Sequence, residues 1–130
     1  SLMVDITPLL PADRQLIQGY GGGGFRIAGS EYPYSVFVTE TATCVWEVSD
    51  AAEMILPPEL GAGSGIAVLL IGTGRKIVQI PLGIRQTLRK AGIGVEIMDT
   101  GAACRTFNVL LSEERAVAAL LIAVDDEAEA

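Results

Sequence analysis

Apolar positions change period twice along the chain. They alternate with polar ones over residues 15–20 and 25–28, and Gly21 to Gly24 separate the two runs, which predicts an antiparallel hairpin with a flexible tip. Residues 35–39 and 43–48, β-branched and aromatic and joined by a short polar turn, predict two further strands. The N-terminal half therefore reads as an antiparallel meander. Ser49 or Asp50 can cap a short helical turn reaching Ile55, after which Pro57, Pro58 and the glycines of residues 60–65 break the pattern.

The period then changes. Residues 66–71 are continuously apolar, as expected for a strand covered on both faces. From Pro81 to Ala91 the spacing becomes helical: Ile84, Leu88 and Ala91 share one face, Arg85, Arg89 and Lys90 lie off it, and Gly92 marks the stop. Residues 95–98 predict a short strand, 101–114 a capped helix and 116–124 a long buried strand. Strand, helix and strand make a right-handed parallel unit. The next helix and last strand repeat it, with the direction of that last strand left open. The expected class is α/β: a central parallel or mixed sheet from the βαβαβ C-terminal half, accompanied by the antiparallel β meander.

With 130 residues, half of them apolar, one domain over residues 3–124 buries roughly two-thirds of its extended surface without disulfide or metal. Ser1 and Leu2 ahead of Met3 read as a cloning scar, and residues 125–130 as an acidic, solvated tail. Histidine is absent and Cys44 and Cys104 form no C-x-x-C, which excludes a zinc site or a histidine-based triad within this chain. Cys44 is expected to have a packing role and Cys104 to be a small core or semi-buried filler. Nothing indicates a cofactor. No apolar run approaches the ~20 residues that span a bilayer, and neither a signal nor a transit peptide is visible, so membrane insertion is not expected and the cytoplasm is the default compartment.

The net charge of -7 disfavours nucleic acid as a partner, but the average hides an asymmetry. No acid occurs over residues 60–95, where Arg75, Lys76, Arg85, Arg89 and Lys90 lie, while the first 59 residues carry eight acids against Arg14 and Arg26. Tyr20, Tyr32 and Tyr34 sit in the acidic half, away from those bases, so they make no stacking platform. A protein partner at the basic strip is the first expectation. A homo-oligomer is compatible with the same features.

Gly72-Thr73-Gly74 follows a buried strand, where α/β sheets present N–H groups to anions, and Arg75 comes next. A tight turn and a ligand cradle both fit. The helix after Asp99 and Thr100 carries its own side-chain cap, which occupies N–H groups that an anion would need. Arg105, Asn108 and Ser112 form a polar stripe, which is usually a solvated or internally bonded face; partner contact and catalysis are the alternatives, with Asn108 a partner-contact candidate. Right-handed crossovers place the turns at Gly72 to Arg75 and at Asp99 to Thr100 side by side, with Arg105 near the same rim. Gly72, Thr73, Gly74, Arg75, Thr100 and Arg105 are thus candidate ligands for a small anion. Glu113 and Glu114 face different sides of their helix, so no acid/base pair is expected from them.

The strings I-Q-G-Y-G…F-R-I, L-L-I-G-T-G and G-I-G-V-E-I-M-D-T-G-A-A-C-R-T-F-N-V-L-L-S-E-E-R resemble a small family of uncharacterised Mth-type domains. That family includes the mitochondrial respiratory complex I assembly factor 3 and the adipogenesis-associated Mth-type domain protein. The resemblance covers residues 15–124 and rests most specifically on D-T-G-A-A-C-R-T-F-N. It implies a compact three-layer α/β fold with an extra antiparallel layer, and no established enzymatic activity. The familiar form has Tyr where Phe107 stands and Gly where Glu114 stands; without the phenolic hydroxyl, catalysis at 107 is disfavoured. The expected function is a non-enzymatic interaction or assembly module. The alternative is a small anionic-ligand site, or an unrecognised enzyme, at the rim.

Overall fold

The computed structural model describes residues 3–6 and 14–125. Two sheets share the chain. The first is an antiparallel meander of β1 (Val4–Asp5), β2 (Ile17–Gly21), β3 (Gly24–Ile27) and β4 (Ser30–Tyr32), in that spatial order. The second contains β5 (Val36–Val38), β6 (Thr43–Val45), β7 (Val68–Gly72), β8 (Gly94–Met98) and β9 (Val117–Leu121), ordered β6-β5-β9-β7-β8. Helix α1 (Leu82–Lys90) crosses from β7 to β8, and α2 (Thr100–Ser112) from β8 to β9.

The N-terminal half is therefore split. The β5–β6 pair leaves the meander and joins β9 antiparallel, because Val36, Phe37 and Val38 are all buried and need cover on both faces. β9 runs parallel to β7, which settles the direction left open by the sequence and makes the central sheet mixed. Its five residues are all buried: Val117, Ala119 and Leu121 pack with Leu70, Phe107 and Leu111, whereas Ala118 and Leu120 pack with Leu69, Ile71 and Leu88. The first cluster also contains Ile17, Phe25 and Ile27 of the meander, so α2 lies in the layer between the two sheets. The second holds Trp46, Met54 and the α1 face carrying Leu88 and Ile84.

The glycine tip of the first hairpin differs from the flexible loop expected. Strand pairing continues to Gly21 and Gly24, leaving a two-residue turn in which Gly22 and Gly23 have φ of 62° and 84°. Positive φ at both positions is what a tight hairpin turn needs. The Gly23 N–H donates to Val124 O at 2.9 Å, tying the tip to the segment that follows β9. Asp50 caps a single turn at Ala51–Glu53 by accepting from Ala52 N–H, shorter than the turn expected through Ile55.

Helix α2 is closed at both ends. Asp99 accepts from the Ala102 N–H at 2.9 Å, while Glu114 N–H reaches Leu111 O and Arg115 N–H reaches Leu110 O, both at 3.0 Å. This is a left-handed C-terminal cap with Glu114, φ 58°, where glycine is favoured.

Candidate functional site

Strands β7 and β8 are parallel neighbours and end together, so the two turns expected to be adjacent do lie side by side. Thr100 joins them. Its N–H donates to Gly74 O at 2.8 Å, its Oγ1 accepts from Gly74 N–H at 2.9 Å, and the same hydroxyl donates to Ile122 O at 2.8 Å. The Thr73 N–H donates to Met98 O at 3.0 Å, and its hydroxyl donates to Lys76 O at 2.7 Å while accepting from Val78 N–H at 3.1 Å. Gly72 is required by close approach: a Cβ there would lie 2.9 Å from Thr100 Cα.

This geometry favours the tight turn over the anion cradle, the two readings the sequence allows. The N–H groups of Thr73 and Gly74 are donated internally, and Gly72, Thr73, Gly74 and Thr100 are all buried. They act as a knot holding the ends of three parallel strands rather than as a presented loop. Arg75 and Arg105 remain exposed at this rim. Arg105 donates to the Tyr20 hydroxyl at 3.3 Å, and Tyr20 covers the first turn of α2 so closely that a Cβ on Gly101 would lie 2.5 Å from that hydroxyl.

Asn108 is not at the surface as expected for a partner contact. Its side chain is buried, accepting from Ile17 N–H at 3.0 Å and donating to Ile17 O at 2.9 Å, so it fastens β2 to α2. The sequence held a signal for this, because Cys104, Asn108 and Leu111 recur at i, i+4 and i+7 on the buried face. Ser112 is exposed and donates back to Val109 O. Cys104 fills the core, and burial pushes its thiol well above the ordinary range. Cys44 has no such packing role: it is exposed on the edge strand β6, beside a cavity of about 430 Å³ at the opposite end of the sheet from the rim.

Arg75, Lys76, Arg85, Arg89 and Lys90 are all exposed. Among the described residues, Lys76, Arg85, Arg89 and Lys90 enter no ion pair, whereas Arg26 pairs with Asp5 at 2.6 Å and Arg115 with Glu113 at 3.8 Å. Next to the strip the sequence offered no warning of a groove of about 790 Å³, which Ile77, Val78, Leu82 and Arg85 form with Val95 and Ile97 of β8. Ile77 and Leu82 are 63% and 75% exposed, unusual for large apolar side chains. Among the described residues no helix is long and apolar enough to cross a membrane, and no His, Cys, Asp and Glu cluster could hold a metal ion.

The model of a family described as "Protein of unknown function (DUF498/DUF598)" matches residues 17–122. An uncharacterised protein of Rhodobacter capsulatus is 35% identical over 106 residues, 82% of each chain. The NADH dehydrogenase [ubiquinone] 1 alpha subcomplex assembly factor 3 of Xenopus tropicalis is 32% identical over 120 residues, 85% of this chain; the match spans 62% of that relative's length. A crystal structure named as an outer membrane protein from Bartonella henselae superposes with a TM-score of 0.77 at 38% identity, covering 88% of this chain and 98% of that one.

Proposed function

The chain belongs to the DUF498/DUF598 family of unknown function, and from that premise we propose that it is a cytoplasmic, non-enzymatic module that docks a protein partner during complex assembly. Its contact surface is the strip of Arg75, Lys76, Arg85, Arg89 and Lys90. One observation carries this reading: in a chain of net charge -7, four exposed cations in one region enter no ion pair among the described residues, while cations elsewhere are used in internal contacts. Such segregation steers association and fixes the orientation of partners more than it adds affinity. The assembly role in the name of the Xenopus relative supports the same class of function.

The test is affinity capture from native extract with mass spectrometry, comparing the parent with a variant carrying Arg85→Glu and Arg89→Glu. Loss of specific partners from a variant that keeps its fold is expected. Partners retained at unchanged yield would remove the strip as the interface, and their loss with Arg105→Ala instead would transfer that role to the rim.

A further inference from the structure

We infer that the partner contributes an extended segment whose groove-facing side chains, at every second position, are apolar and acidic, and which adds to the free edge of β8 as a sixth strand of the central sheet. This deepens the assembly reading and rests on it. β8 is the last strand on its side of the sheet. The Gly94 N–H donates to Ala67 O and Met98 O accepts from Thr73 N–H, so alternate residues Gly94, Glu96 and Met98 point their backbone groups at β7. The N–H and C=O groups of Val95 and Ile97 therefore face outward. Among the described residues no bond beyond the sheet ladders involves them.

An open edge is a template for another strand, and natural sheets usually cover or blunt it. Here the edge borders the groove in which Ile77, Val78 and Leu82 expose apolar surface and Arg85 supplies charge. A partner strand meets all three features together: its backbone pairs with Val95 and Ile97, and every second side chain enters the groove, apolar ones on Ile77, Val78 and Leu82 and an acidic one on Arg85. Glu96 is the one acid lining the groove, beside the one cation Arg85, and its side chain leaves β8 on the face opposite to Val95 and Ile97. A second copy of this chain fits less well, since pairing β8 with β8 brings two basic strips together. An anionic bilayer would take up the cations and Leu82 but leave the Val95 and Ile97 backbone without partners.

The experiment titrates the full, isotopically labelled chain with synthetic heptapeptides in which Val, Glu and Leu occupy every second position and Thr the others, followed by nuclear magnetic resonance. Binding is expected to shift the Val95 and Ile97 amides and slow their hydrogen exchange. N-methylating the peptide on the edge that faces β8 is expected to weaken binding about tenfold per hydrogen bond removed, whereas methylating the other edge leaves it unchanged. Equal binding by both methylated forms overturns strand addition. If that equal binding is lost in the Arg85→Glu, Arg89→Glu variant, the charged docking surface survives without it. Absence of peptide binding, with or without binding to phosphatidylserine-containing vesicles, also overturns strand addition; partner capture through the strip then decides the broader reading separately.

Discussion

Replacing Thr100 with valine tests the knot at the ends of the parallel strands. The two side chains have nearly the same shape, so the change removes a hydroxyl without opening a cavity. Thr100 is fully buried, and its Oγ1 is the acceptor for Gly74 N–H at 2.9 Å and the donor to Ile122 O at 2.8 Å. After the substitution the Gly74 N–H has no acceptor and Ile122 O loses this donor. A buried group left unsatisfied costs about 1–3 kcal/mol, so the expected loss is about 2–6 kcal/mol for the two. With a urea dependence of about 2 kcal/mol/M, the unfolding midpoint should fall by about 1–3 M. Thr100→Ser keeps the hydroxyl and should cost about 1 kcal/mol through the missing methyl group. A Thr100→Val midpoint indistinguishable from the parent's would refute the assignment of this turn to structure and reopen it as a site whose N–H groups are available to a ligand.

Two further outcomes follow from local geometry and burial. Glu114→Gly should stabilise the protein by about 0.5–1 kcal/mol in thermal or urea unfolding, because relief of the positive-φ conformation outweighs the greater backbone freedom of glycine when unfolded. No change, or a loss, would contradict the cap geometry. Cys104 is raised from its ordinary value of 9.0 chiefly by burial, with Arg105 opposing the shift and Asp99 adding to it. Its contribution to stability is present in full below about pH 9 and declines as pH rises and the unfolded thiol ionises first, by up to about 1.4 kcal/mol per pH unit. A Cys104→Ala variant should lack this alkaline component, and native-state alkylation should label Cys44 alone; rapid labelling of Cys104 would contradict its burial.

Much of the C-terminal half was legible because two-sided burial writes itself as an uninterrupted apolar run. The runs at β7 and β9 do so, and the shift to helical spacing at Ile84, Leu88 and Ala91 locates the helix between β7 and β8. The adjacency of the two turns followed from crossover handedness alone. The division of the N-terminal strands between two sheets was not legible, since three residues, Val36 to Val38, are too short to reveal a period and only pairing with β9 explains their burial. Cys44 shares strand parity with buried Trp46 and Val48, but β6 ends at Val45 and the chain turns inward only beyond it. Asn108 was read as part of a polar stripe although its spacing placed it with the core. The groove depends on bringing residues 77–82 beside β8, a contact that no local pattern encodes.

The interface claim is tested most directly by site-specific photo-crosslinking in living cells. A benzophenone amino acid is placed at Leu82 in the groove in one protein, and in others at Val109 on α2 or at Ile55. All three positions are exposed, at 75%, 53% and 68%, so the probe should be tolerated at each. The account predicts a discrete protein adduct from position 82 that disappears with Arg85→Glu and Arg89→Glu, and none from 109 or 55. An adduct from Val109 or Ile55 with nothing from position 82 would place the partner elsewhere and contradict it.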